Sequence, residues 1–257
     1  MELIEHYRKV IFFALHLKDF ASPEADNVRL MREHYAHITF DEICQFMSVK
    51  GKTVLDVGGA TGTFSKIFNE KFGAFAINLD FNPQQIHRKS SGELAIIDIH
   101  EIWPDTVTGV AQALPFVDNA LDVVFCRSIL EHIPQEEEQS AIDELYRVTK
   151  KGGLCYIAIP PWYSPWAGHG LRPFHVFPFT MARKLKLIFF RNTHIVERSL
   201  AEMDLFPITF KKMSNMIVQS GFRIAAVRDT HFRLHFLAKM PIVREIAIPL
   251  VAFIAEK

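Results

Sequence analysis

The stretch VLDVGGATG, Val54 to Gly62, constrains the fold of this chain more than any other. A run of aliphatic residues passes directly into Gly58, Gly59 and Gly62, and then into FSKIFNEKF (Phe64 to Phe72), which reads as an amphipathic helix. Glycine lets a backbone turn tightly and approach a ligand closely, and the first turn of a helix presents unpaired N–H groups. A strand, a glycine turn and a helix in this order fit the first unit of an open α/β sheet. Nucleotides bind such sheets at the carboxyl ends of the strands. A glycine turn also serves merely to join a strand to a helix, so the weight falls on the next strand. AFAINLD (Ala74 to Asp80) supplies it and ends on Asp80, eighteen residues beyond Gly62. A carboxylate there can accept from both hydroxyls of a ribose.

The alternation continues along the chain. DVVFCRS (Asp122 to Ser128) reads as a strand, Gln135 to Val148 as a helix, and LCYIAIP (Leu154 to Pro160) as a strand after a Lys-Gly-Gly turn. The third strand is either Leu94 to Ile99 or Thr106 to Val110, with the second preferred. A helix ending at Ser220-Gly221 precedes FRIAAVRD (Phe222 to Asp229), and VAFIAEK closes the chain as the last strand. This pattern predicts a doubly wound α/β fold with a mostly parallel sheet and right-handed crossovers. Two segments stand apart from it. Residues 1–50 show helical spacing at Leu3, Ile4, Tyr7, Val10 and Ile11, and again at Val28, Met31, Tyr35 and Ile38, with Ser22-Pro23 between. They predict a helical N-terminal extension to a domain spanning 51–257. Residues 160–207 turn rich in Pro, Trp, His and Phe without clear periodicity, as a lid inserted in that domain would.

Composition narrows the function. Basic and acidic residues balance at 29 each, which argues against a broad nucleic-acid footprint. The 23 phenylalanines suit an apolar pocket or surface. Cys44, Cys126 and Cys155 form no CxxC pair, and two of them fall in strands where a thiol packs as a small apolar group. The first residues mix charge with apolar side chains and lack a small-residue cleavage site, so no signal peptide is read there. The longest apolar runs fall well short of the roughly 20 residues needed to span a bilayer. A cytoplasmic location is the default expectation.

In these blocks the chain resembles the class I S-adenosylmethionine-dependent methyltransferases, in particular the subgroup of quinone-biosynthesis and small-molecule enzymes. VLDVGGATG matches the family's first motif and INLD its second. AQALPFVDNALDVVFCRSILEHIP (Ala111 to Pro134) and RVTKKGGLCYIAIP (Arg147 to Pro160) match the next two. The likeness runs from Lys52 to Pro160 and resumes from Asn215 to Asp229. It implies a Rossmann-like, seven-stranded sheet with one antiparallel strand near the C-terminus, S-adenosylmethionine as cofactor, and methyl transfer to a small, apolar or lipid-like acceptor. By the resemblance, Asp56 orients the glycine turn and reaches the methionine amino group. Gly58, Gly59 and Gly62 line the methionine and ribose, and Asp80 holds the ribose hydroxyls beside Phe81. Ala111 and Gln112 run along the adenine, and Arg127 faces the cofactor from the end of the fourth strand. Ala60 replaces a glycine common in the family, a mild change if its backbone is not left-handed. Val110 replaces an aspartate that binds the adenine amino group. A methyltransferase-like protein that binds the cofactor or a partner without turnover is the alternative reading.

Methyl transfer from a sulfonium needs alignment and exclusion of water, and a general base only for some acceptors. His132, in LEHIP, comes after the fourth strand and either faces the transferring methyl or packs the turn. His169 and His175 lie in the aromatic lid, where an imidazole has the right basicity to deprotonate an acceptor, or simply holds a loop. Trp162, Tyr163, Trp166, Phe174 and Phe177 either wall an acceptor pocket or pack the loop onto the sheet. Glu33, His34 and His37 lack a third ligand at a convincing spacing, and no metal is expected. MARKLKLIFFR (Met181 to Arg191) reads as a half-buried helix with its lysines in water, or as a segment touching an anionic membrane surface.

Overall fold

The computed structural model describes residues 6–8, 26–81, 87–88, 94–95, 103–190 and 195–257. Seven strands build the sheet: β1 Thr53–Val57, β2 Phe75–Asp80, β3 Thr106–Thr108, β4 Leu121–Arg127, β5 Thr149–Ile159, β6 Arg223–Asp229 and β7 Val251–Glu256. Their order is β3-β2-β1-β4-β5-β7-β6. Pairing is parallel throughout except for β7, which runs antiparallel to both β5 and β6. The doubly wound, mostly parallel seven-stranded fold read from the sequence is the observed one. β3 settles the choice left open there: Thr106–Thr108 pairs with β2, whereas Leu94–Ala95 forms a two-residue antiparallel ribbon with His87–Arg88.

Helices cover both faces because the strands are apolar on both. β1 shows the division, since successive side chains point to opposite faces. Leu55 and Val57 join one core with Val124, Cys126, Ile142, Leu145 and Met213, under α3 (Glu138–Val148) and α5 (Phe210–Gln219). Val54 joins the other with Phe125, Tyr156, Phe68 and Phe40, under α1 (Asp26–Cys44) and α2 (Thr63–Phe72). Cys126 and Cys155 are buried in these cores, and burial pushes both thiols up.

Tyr35, Ile38 and Ile43 bury α1 against the sheet, and the Tyr156 hydroxyl donates to Glu42 Oε2 at 2.8 Å. Burial pushes the Glu42 carboxyl up to about 7 against that hydrogen bond. The helical spacing read at Leu3, Ile4, Val10 and Ile11, and Ser22-Pro23, lies outside the described residues. Of that region, Tyr7 donates its hydroxyl to the Phe232 carbonyl at 2.7 Å.

Residues 160–207 carry more regular structure than their sequence suggested. They hold helix α4 (Phe179–Phe189), three short 3-10 turns and a small core of Leu171, Ala182 and Ile195. In α4 only Ala182 is fully buried, while Leu187, Ile188 and Phe189 are exposed, so the helix is less buried than its spacing implied. No helix among the described residues is long and apolar enough to cross a membrane.

Candidate active site

The turn after β1 is tied to the end of β2. Gly58 N–H donates to the Leu79 carbonyl at 2.6 Å, and Ala60 N–H donates to Asp80 Oδ2 at 3.0 Å. Asn78 Nδ2 donates to the Ala60 carbonyl at 2.9 Å. Gly58 has φ +71°, and a Cβ on it would stand 2.2 Å from Ile129 Cδ1, so conformation and packing both require glycine. Ala60 also sits in the left-handed region, at φ 55°. The condition that made its replacement of glycine mild is therefore not met, and the turn carries strain of roughly 1–2 kcal/mol there.

Asp56 lies buried beneath this turn. Its Oδ2 accepts from Ser65 Oγ at 3.0 Å. Burial pushes its carboxyl up to about 7, with the Ser65 hydrogen bonds pulling the other way. A Cβ on Gly59 would meet Asn78 Oδ1 at 2.2 Å and Asp56 Oδ2 at 2.4 Å, so the missing side chain makes room for these two groups. Gly62 caps the start of α2 with Trp103 against it.

A cleft of about 420 Å³ opens over the ends of β1, β2 and β4. Of the residues expected around the cofactor, Gly58, Asp80, Phe81, Ala111 and Gln112 line it, as does His132. Asp56, Gly59, Gly62 and Arg127 do not; the first three shape the turn from behind. Asp80 is 8% exposed and Phe81 71% exposed, which places a held carboxylate beside a free aromatic face. Asp80 thus ends β2, lines the cleft and is at the same time tied into the turn. Gln112 Nε2 donates to Glu137 Oε2 at 2.6 Å, so its amide is engaged at the rim. Val57, Leu79, Val110, Ile129 and Ile133 complete apolar walls.

A second cavity, of about 200 Å³, lies on the other side of the turn after β4. Ser128 and Glu131 face it, whereas Ile129 and His132 face the cleft. Arg127 lines this second cavity, not the cleft, with its guanidinium 5.4 Å from the Tyr35 ring centre and 5.5 Å from that of Phe64. The segment 160–207 supplies Trp166, His169 and Arg172 to this cavity, and Asp204 to the cleft. Glu131 is 2% exposed and neither carboxylate oxygen has a hydrogen-bond partner. Burial pushes its carboxyl up to about 8, against the pull of its own backbone N–H and of the nearby Arg127 charge. Surrounding protein pushes His169 down to about 4, with His132 and Arg172 acting in the same direction, although part of its side chain reaches solvent.

The three histidines singled out in the sequence separate here. His132 and His169 come together, with ring centres 4.8 Å apart. His175 reaches neither cavity: it is buried, its Nε2 bonds the Trp162 carbonyl at 2.7 Å, and it packs edge-on to the Trp162 ring. Of the five lid aromatics, Trp166 alone lines either of these two cavities. Glu131, Arg172 and His231 were missed by sequence reasoning. For Glu131 a signal was present, an acidic residue set in the apolar run SILEHIP.

The sheet order, the turn at Gly58 and the cleft beyond it define the class I S-adenosylmethionine-dependent methyltransferase fold. Residues 55–157 match the family model described as a methyltransferase domain. An uncharacterized methyltransferase of Mycobacteroides abscessus is 28% identical over 203 residues, 79% of this chain and 75% of that one. A SAM-dependent methyltransferase from Archaeoglobus fulgidus superposes with a TM-score of 0.53 at 15% identity, over 96% of this chain and 99% of that one. A geranyl diphosphate methyltransferase solved with GPP and sinefungin gives 0.55 at 12% identity, over 86% and 77%. The chain therefore has the fold of S-adenosylmethionine-dependent methyltransferases, and residues 55–157 match a methyltransferase domain in sequence.

Proposed function

We propose that the cleft at Gly58, Asp80 and Phe81 holds S-adenosylmethionine, and that the second cavity receives the polar end of a small acceptor. The juxtaposition of the two cavities across one turn carries this reading. The cleft fits a nucleoside: apolar walls, one buried carboxylate placed for ribose hydroxyls, and an exposed phenyl ring for the base. The bound cofactor supplies an electrophilic methyl that leaves a sulfonium by in-line displacement. Everything else falls to the chain. Asp80 fixes the turn and offers a charged acceptor, Asp56 and Asn78 hold that turn from behind, and Ile129 closes the wall beside Gly58.

The second cavity suits an acceptor more polar than the composition alone suggested. Arg127, Arg172, Glu131 and His169 line it beside Trp166, so a wholly apolar acceptor would cover charged and polar side chains, the buried Glu131 among them, without pairing them. A lipid-like acceptor fits head first. Residues 160–207 act as the lid over both cavities through Asp204, Trp166 and Arg172. The same segment exposes Leu187, Ile188 and Phe189 near Lys184, a surface suited to peripheral contact with an anionic bilayer.

The test pairs calorimetry with a turnover assay that follows S-adenosylhomocysteine release over a panel of hydroxylated and amphipathic acceptors. Trp166→Ala and Arg172→Ala are expected to raise the acceptor KM severalfold or more while leaving cofactor affinity within a few-fold. Equal loss of cofactor binding would place the acceptor elsewhere. Cofactor binding without turnover on any acceptor would favour the binding-only alternative.

A further inference from the structure

We propose that Glu131, His132 and His169 bind one divalent first-row metal ion at the turn that borders both cavities. Each of the three offers one ligand atom, and these atoms all lie within 4.8 Å of one another. Metal–ligand bonds of about 2.0–2.2 Å bring ligand atoms closer than this, so small rotations of the side chains would complete the site.

Two further observations point to a cation. Glu131 is buried, and both its oxygens lack a hydrogen-bond partner. A buried carboxyl without such a partner either keeps a proton or takes up a cation, and the two imidazoles beside it supply the other ligands a cation needs. His132 Nδ1 lies 2.6 Å from the Asp204 carbonyl. A carbonyl only accepts, so Nδ1 carries the proton and Nε2 keeps its lone pair for a ligand bond. A backbone carbonyl holding the far nitrogen is the usual support of a metal-binding histidine. His169 arrives from a different element, the short turn His169–Leu171, and its ring faces that of His132.

Two imidazoles and one carboxylate form a mixed set that suits manganese, cobalt or zinc better than calcium. Three protein ligands leave coordination positions open, as at catalytic sites. Glu131 and His169 both line the second cavity, so on the reading that this cavity takes the acceptor, an acceptor oxygen would fill an open position. Arg127 and Arg172 line the same cavity and oppose a cation. The Arg127 guanidinium is, however, held over the Tyr35 and Phe64 rings, and neither arginine forms a salt bridge with Glu131 among the described residues.

Tag-free, metal-depleted protein titrated with Co²⁺ tests the site, read by visible absorption and calorimetry and repeated with Mn²⁺ and Zn²⁺. One equivalent should bind, with the absorption of cobalt in a nitrogen- and oxygen-ligated site. Glu131→Gln and His169→Ala should each weaken binding by about tenfold or more. His37→Ala, which alters a histidine outside the cluster, should not. His169 is surface-exposed, so its alanine variant carries the test even where Glu131→Gln folds poorly. No cobalt, manganese or zinc binding at millimolar concentration overturns the proposal, as does affinity unchanged in His169→Ala. S-adenosylhomocysteine binding measured on the same metal-free preparation reports the cofactor cleft separately, so failure of one reading is distinguishable from failure of the other.

Discussion

Replacing Asp80 with alanine removes its hydrogen bond to the turn and the ribose contact proposed above, and each has its own readout. Asp80 Oδ2 accepts from Ala60 N–H at 3.0 Å, and the side chain is 8% exposed. A hydrogen bond to a charged group contributes roughly 1.5–3 kcal/mol. In a chain of this size each kcal/mol moves the melting temperature by about 2–4 °C, so Asp80→Ala should melt roughly 3–12 °C lower. Loss of the ribose contact should weaken cofactor binding at least about tenfold, since 1.4 kcal/mol corresponds to that factor. Asp80→Asn separates the two effects. Its amide oxygen can still accept from Ala60 N–H, so the turn keeps its anchor, whereas the ribose loses a charged acceptor. That variant should melt close to the wild type and bind the cofactor several-fold more weakly. Calorimetry with S-adenosylhomocysteine and thermal melting on the same preparations supply both numbers. If Asp80→Ala binds as tightly as the wild type, Asp80 serves the turn alone and its role in holding the ribose is refuted.

Three further outcomes are expected. Ala60→Gly relieves the left-handed strain but gives part of it back to the greater entropy of the unfolded chain, for a net gain of roughly 0.5–1 kcal/mol; a melting temperature below wild type would show that Ala60 is unstrained. Asp56 keeps its proton in the folded state up to about 7 but releases it near 3.8 when unfolded. Its contribution is therefore fully present below the lower value and is lost as pH rises through the upper one. Asp56→Asn should narrow the difference in melting temperature between about pH 5 and about pH 8, and an undiminished difference would assign the effect to other groups such as Glu42. Finally, sedimentation with vesicles rich in anionic lipid should deplete the wild type from solution, and Ile188→Glu with Phe189→Glu should abolish this; equal sedimentation of both would rule out contact through α4.

The fold was legible because β1, β2, β4 and β7 are short apolar runs, and β1 and β4 are each followed by a turn and a helical pattern. Val54, Leu55 and Val57 are apolar on both faces, and only a covered parallel sheet accommodates that. The cleft was legible in part, since Gly58 and Asp80 are fixed by local geometry that the chain writes consecutively. Sequence alone did not show that Asp56 and Gly59 act from behind the turn, because their contacts with Ser65 and Asn78 depend on where α2 and β2 dock. Arg127 was placed at the correct strand end, but which of the two cavities it lines could not be read, as the β4 turn divides two cavities that no local pattern distinguishes. The cluster of Glu131, His132 and His169 was invisible for the same reason: His169 lies thirty-seven residues beyond His132 and is brought back by residues 160–207. Ala60 could not be read as left-handed without backbone angles.

The measurement that bears most directly on the cleft is a crystal structure of the protein grown with S-adenosylhomocysteine. Density for the nucleoside is expected over the ends of β1 and β2, with ribose hydroxyls within hydrogen-bond reach of Asp80 and the base against Phe81. The homocysteine end should run past Gly58 toward the turn at Ile129. Density for the nucleoside in the second cavity beside Arg127 and Glu131, with the cleft at Asp80 holding only water, would contradict the assignment of the two cavities.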